Sequence, residues 1–210
     1  MANFLSGFMR DGGYFMWVIL MVWLTGLGIS FYKFVMLKRN DINGDKLFDV
    51  IKGNVLNNDV EAAISNCAGS KAILPKILRS GLKRANEDRT VVEDAVAVSI
   101  MEQAPKLNYH LNYISLLANI STLIGLLGTI QGLIMSFAAV GDSDVSNKAA
   151  ALADGIAKAM NTTALGLMSA ISIMVLHTIL TSKATMLNDK LDEFSGKLID
   201  LLSIKKRKDS

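Results

Sequence analysis

The chain has 210 residues, of which 51% are hydrophobic and 20% charged, with a formal net charge of +3 and a positive mean hydropathy. The charges avoid three long stretches, which excludes an ordinary soluble domain and marks an all-α integral membrane protein with three transmembrane helices and long cytoplasmic helical extensions. The basic excess lies beside those stretches, so no nucleic acid partner follows from it.

Residues 1–40 read as a short periplasmic segment and the first transmembrane helix. Arg10 and Asp11 precede an apolar stretch too long for the h-region of a signal peptide, and no small-residue cleavage site follows, so the stretch is expected to be a retained span. It runs from Tyr14 to Val35, and about twenty such residues cross a hydrocarbon core of about 30 Å. Its charged residue, Lys33, lies near the inner end. Lys38 and Arg39 follow, and positive charge beside a span marks the cytoplasmic side, so the N-terminus is placed outside.

Residues 41–110 form a cytoplasmic helical domain. Asp45–Ile51 opens one amphipathic piece, and Asn58-Asp59-Val60-Glu61 has the look of a capped helix start. Pro75 breaks the pattern, which Leu78, Leu82 and Ala85 resume. A longer helix is predicted from Thr90, with Val91, Val92, Ala95, Val98 and Met101 on its apolar face. Pro105 is expected to kink this helix without ending it, so that the second span continues from it. Cys67 is the lone cysteine, with no neighbour for a disulfide or at metal spacing, and reads as a small buried residue.

Residues 111–182 hold the second and third spans, over 111–140 and 150–180, joined by a polar loop at 141–148 that is placed outside. Residues 183–210 form a C-terminal cytoplasmic helix and a basic tail. Leu187, Leu191, Phe194, Leu198 and Leu201 recur there at 4-3-4-3 spacing, a stripe suited to packing on the other cytoplasmic helices or to self-association. Lys205-Lys206-Arg207-Lys208 reads as a solvated tail, with contact to anionic membrane lipid as the sharper alternative.

The polar chemistry of the spans is made of hydroxyls and glycines. Thr122, Gly125, Thr129, Gly132 and Ser136 share one face of the second span, and Gly128 and Gly132 form a GxxxG. Gly155, Ala159, Thr163, Gly166 and Ala170 make a small stripe on the third. Lys158, Thr162, Gly166 and Ser169 make a more polar stripe beside it, and Asn161 lies close to both. Such faces suit a helix-packing seam or the wall of a pore. The core of each span lacks an acid, and hydroxyls do not carry protons at neutral pH, so a proton-conducting machine would take its titratable group from another chain. His177, near the inner end of the third span, is the one alternative within the chain and reads as interfacial, and His110 reads as structural. Lys158 lies about one turn inside the third span, where it either snorkels outward or faces a polar interior. No nucleophile–base pair, metal spacing or phosphate loop appears, so neither an enzyme nor a bound cofactor or metal is expected.

Gly125-Leu126-Leu127-Gly128-Thr129-Ile130-Gln131-Gly132 resembles the GLLGT-x-x-G signature of the ExbB/TolQ proteins, and Ala159–Leu167 resembles their third-span Thr-Ala-x-Gly-Leu motif. Gly12-Gly13-Tyr14-Phe15-Met16-Trp17 is similar to a common opening of their first span. The chain is identified on these motifs as a member of the MotA/TolQ/ExbB proton channel family, three spans favouring the ExbB/TolQ branch. The resemblance implies a multi-pass protein of the bacterial inner membrane with its C-terminus in the cytoplasm. It implies a homopentamer whose second and third spans line a central pore around a dimer of single-span ExbD-, TolR- or MotB-like subunits. The partner's transmembrane Asp would carry the ion, a proton with sodium as the alternative. Thr129 and Thr163 would be the pore threonines, with Thr122, Ser136, Lys158, Asn161 and Thr162 along the same path. Work would pass to a TonB-like or TolA-like load protein. The chain departs from the family in carrying Lys158 where the ExbB type has a glutamate, and Thr122-Leu123-Ile124 where a proline often precedes GLLGT. A non-conducting membrane scaffold and a self-contained channel are the competing readings.

Overall fold

A computed structural model describes residues 13–142 and 148–209; the start of the first-span motif at Gly12, the Arg10–Asp11 pair and the heart of the polar loop, 143–147, lie outside the described residues. The described residues are all-helical and contain no strand. Three runs of helix are long and apolar enough to cross a membrane.

The chain divides into two compact units. The first joins residues up to Tyr32 with His110–Ile179 and holds the apolar spans. Helix α1 (Gly13–Asn40) starts in it. Met16, Ile19, Gly26 and Ser30 are buried at helical spacing, while Tyr14, Trp17, Met21, Leu24 and Phe31 are left open. That is the pattern of a lipid-facing helix, since large apolar side chains lose nothing by facing acyl chains. Gly26 is where α1 closes on the third span: an added Cβ would stand 2.8 Å from Ile173 Cδ1.

The second unit joins Lys33–Tyr109 with Leu180–Ser210. It contains α2 (Gly44–Leu56), α3 (Val60–Ala68), α4 (Ile73–Leu82), α5 (Arg89–Gln103) and α6 (Pro105–Asn108). Side chains cap the first two: the Asn43 carbonyl oxygen accepts from Lys46 N at 3.2 Å, and the Asp59 carboxylate from Ala62 N at 2.9 Å. Pro75 sits in the first turn of α4, where a missing N–H costs nothing. Asn40 ties the end of α1 to α4, its amide donating to Met36 O and its oxygen accepting from Ile73 N at 3.0 Å. The 4-3-4-3 stripe of Leu187, Leu191, Phe194, Leu198 and Leu201 is buried by the unit's own helices. Phe194 covers Gly44 and stacks near Phe48, and Leu198 and Val96 close on Gly81.

Two expectations are corrected. Helix α5 buries Val92, Val96 and Ser99 and leaves Val91, Val98 and Met101 exposed, so its inner face is rotated from the predicted one. The helix has apolar residues on both sides, and the side facing α4 is decided by packing. The second span, α7 (Leu111–Asp142), does not continue from α5. Ala104 keeps helical angles into Pro105, but Tyr109 is extended at ψ 138° and His110 lies at φ 73°, a left-handed turn that breaks the path before α7 begins. The His110 carbonyl then accepts from Ile114 N as the first bond of the new helix. The third span and the C-terminal helix form one helix, α8 (Lys148–Asp209), so the third span carries the long helical extension expected of it.

Candidate functional site

Helices α7 and α8 run antiparallel, and their small residues meet in register. Gly125 and Gly166 touch through backbone: a Cβ on Gly166 would stand 2.8 Å from Gly125 Cα and 2.9 Å from Ser121 O. Further out, Gly128 receives the Thr162 side chain, Gly132 would place a Cβ 2.7 Å from that of Ala159, and Gly155 receives Ser136. The five glycines of the sequence motifs are thus all at the seam. Their lack of a side chain is what lets two helices approach this closely without a hydrophobic driving force.

The hydroxyls fall on and beside that seam. Thr163 Oγ1 donates across it to Gly125 O at 2.9 Å and lies 3.2 Å from Thr129 Oγ1. Thr129 Oγ1 donates to Leu126 O at 2.6 Å. Thr162, buried, donates to Lys158 O at 3.1 Å, and Ser136, buried, to Gly132 O at 2.7 Å. Thr122 is exposed and donates to Ala118 O at 3.3 Å. Asn161 is half-buried. The structure therefore brings Thr129 and Thr163 together and leaves Thr122 apart on the open side of α7. Because these protons are directed at backbone carbonyls, the hydroxyl oxygens offer lone pairs, which suit a cation or an oriented water.

Two features escaped the sequence reading. Ser121 and Ser169 are buried and share a hydrogen bond, and Ser172 Oγ accepts from Trp23 Nε1 at 2.8 Å while donating to Ser169 O at 2.7 Å. This polar thread joins all three spans, and Ser169 on the polar stripe was its only trace. The second is Asp154, which reads in sequence as an acid at a span end. Its Oδ2 lies 2.7 Å from Lys158 Nζ, with both side chains about half exposed. The i, i+4 spacing was the signal that could have found it. The pair lines an open cleft of about 590 Å³ with Tyr14, Phe15, Gln131 and Ser136. His110 lies between Tyr32 and Tyr113, with ring centroids 6.2 and 6.0 Å away, and His177 is half-buried in α8.

Residues 69–193 match the MotA/TolQ/ExbB proton channel family. The chain is 42% identical over 84 residues to the biopolymer transport protein exbB1 of Vibrio cholerae, a match covering 40% of this chain and 37% of that protein. It is 24% identical over 185 residues to a putative biopolymer transport protein ExbB homolog of Methanothermobacter thermautotrophicus, covering 88% of this chain and 64% of that protein. The chain thus spans less than two thirds of either relative's length.

Proposed function

The chain belongs to the MotA/TolQ/ExbB proton channel family, on its ExbB/TolQ side, and from that premise we propose that it is the stator and channel subunit of an ion-driven motor in the inner membrane. It would assemble as a pentamer around a dimer of single-span ExbD- or TolR-type subunits. Ion flow would turn one set against the other and deliver work to a TonB-like or TolA-like load.

The observation that carries this reading is the Thr163–Thr129 pair, two hydroxyls 3.2 Å apart on the glycine seam of helices whose apolar stretches contain no carboxylate. A hydroxyl pair can orient water or share the solvation of a cation, and cannot itself pick up and release protons near neutral pH. The chemistry is complete once a partner supplies an acid at membrane depth. Both threonines also sit beside the closest backbone contact of the hairpin, so their positions are held by packing.

The test is purification with a single-span ExbD- or TolR-type subunit, chain counting by native mass spectrometry, and measurement of proton and sodium flux in proteoliposomes. Replacing Thr129 and Thr163 together by Val keeps their shape and removes both hydroxyls. Flux is expected to fall by about tenfold, the size of a polar interaction of about 1.4 kcal/mol, with the assembly mass unchanged. Unaltered flux in the double variant would assign both hydroxyls to packing. A complex of the right mass that passes neither ion would leave a non-conducting scaffold.

A further inference from the structure

The Asp154–Lys158 pair sits in a spanning helix, yet its geometry does not suit a stabilising role. The two residues are one turn apart on α8, their side chains are 65% and 47% exposed, and pairs of this kind contribute little to stability. Its position is more telling. From Ala159 to Ser182 the helix carries no charge, a length of about 36 Å at 1.5 Å per residue, which a bilayer core of about 30 Å can cover. The pair therefore stands at the outer edge of the apolar stretch. It opens into the cleft of about 590 Å³ whose other polar lining is Tyr14, Gln131, Ser136 and Thr162.

A lysine at such a mouth raises the potential for any approaching cation, and in a ring of subunits the effect would be repeated around the opening. Asp154 changes that result. With its carboxylate oxygen 2.7 Å from the ammonium, the field beyond a few ångströms is that of a dipole and not of a unit charge. The oxygens of Ser136 and Thr162, whose protons are directed at Gly132 O and Lys158 O, add to the cation-tolerant side of the cleft.

We propose that Asp154 is a selectivity-determining residue of this protein: it cancels the charge of Lys158 and thereby keeps the outer cleft open to monovalent cations. The inference rests on the functional reading above for its meaning, and on the pair and the cleft alone for its electrostatics.

The experiment separates the two. In the full chain carrying Cys67→Ala, a reporter cysteine is placed in the cleft by Gln131→Cys, and open membrane sheets are labelled with cationic and anionic methanethiosulfonate reagents. The ratio of the two rates reads the local potential and cancels changes in accessibility. Asp154→Asn is expected to lower the cation-to-anion ratio by about tenfold, the effect expected of a unit charge several ångströms away in water-like surroundings. Lys158→Met should raise it, and the double variant Asp154→Asn/Lys158→Met should return to the parent value. A ratio unmoved by Asp154→Asn overturns the proposal. In proteoliposomes holding the full complex, Asp154→Asn should reduce cation flux and the double variant should restore it. Flux indifferent to Asp154→Asn in a conducting complex also overturns the proposal. Ratios that shift as expected in a complex that conducts nothing would uphold the electrostatics and remove the motor reading.

Discussion

The two units of this chain solve the same problem, holding helices together, with opposite materials. In the membrane unit the contacts are glycine against backbone, hydroxyl against carbonyl, and one indole against one serine. Leu123, Leu126, Leu127, Met160, Leu167 and Met168 are exposed, while Ile114 and Ile173 are buried. In the second unit the large residues point inward: Ile51, Val55, Ile77, Leu78, Leu82 and Leu198 are fully buried, and charged groups tie the surface. Water makes apolar burial favourable in one case, whereas acyl chains are as apolar as leucine in the other, so close fit and hydrogen bonds must replace it. The same residue type therefore carries different weight in each unit. In the first unit Gly125 and Gly166 meet backbone directly, whereas in the second Gly44 and Gly81 make room for Phe194, Val96 and Leu198.

The sharpest break of that comparison is a glycine of the membrane seam. Gly166→Val sets a Cβ against Gly125 Cα and Ser121 O, which are backbone atoms that cannot move aside as a side chain tip does. A loss of about 3 kcal/mol or more is expected, enough to separate α7 from α8 in a detergent titration followed by circular dichroism and tryptophan emission. Gly28→Ala, where an added Cβ meets nothing within 4 Å, should be neutral or slightly stabilising. Equal behaviour of the two variants would mean that the seam is not set by close approach.

This contrast also explains what could be read in the sequence. The spans, the cap at Asp59, and the glycine and hydroxyl stripes were legible because each is a local pattern: an apolar run, a polar residue before a helix, a small residue every third or fourth position. The face chosen by α5 was not legible, since Val91, Val98 and Met101 are as apolar as Val92 and Val96, and the choice depends on α4 and α8. The break before α7 was missed for a different reason. Pro105 drew attention to itself, but the helical path survives it and fails at Tyr109 and His110, whose left-handed turn has no glycine to announce it. In the candidate site, residue types and faces were legible. Which hydroxyls meet required the helices to be placed, whereas the carboxylate beside Lys158 was readable from the i, i+4 spacing of Asp154 and was overlooked.

A smaller effect belongs to the charged surface of the second unit. Asp41 accepts from Lys183 at 2.6 Å and from Lys190 at 3.0 Å, so one carboxylate holds two turns of α8 to the residue that follows α1. The hydrogen bonds from these lysines, Lys183 first, hold its pKa below the ordinary carboxylate value, with a smaller opposing push from burial. A depressed pKa contributes stability that is present above the unfolded value of about 3.9 and is lost as pH falls through the folded one. Asp41→Asn should cost about 1 kcal/mol at pH 7. The gap to wild type should begin to narrow below about pH 4 and close only below the folded pKa, where protonation removes the same interaction from the parent. Thermal unfolding at pH 7 and pH 3 checks both; a gap that does not change with pH would assign the cost to the loss of packing.

The smallest expected effect concerns the indole–serine bond and is most useful as a difference between its two ends. Ser172 Oγ accepts from Trp23 Nε1 while its own proton goes to Ser169 O. Trp23→Phe removes the donor and leaves no polar hydrogen without a partner, because the serine proton stays engaged. Bonds of this kind between membrane helices average about 0.6 kcal/mol, and a loss of that order is expected. Ser172→Ala removes the acceptor and strands an indole N–H among apolar side chains, where an unsatisfied donor costs about 1–3 kcal/mol. The serine variant should therefore be the less stable of the two, although it removes far fewer atoms. Trp23 is only half-buried, which keeps the cavity left by Trp23→Phe from reversing the order. Detergent-titration midpoints of the two single variants and the double variant measure this directly. The double variant should lie near Trp23→Phe, because once the indole is gone the serine has only its local bond to lose. If Trp23→Phe were the more damaging, ring packing and not the hydrogen bond would be what joins α1 to α8 at this point.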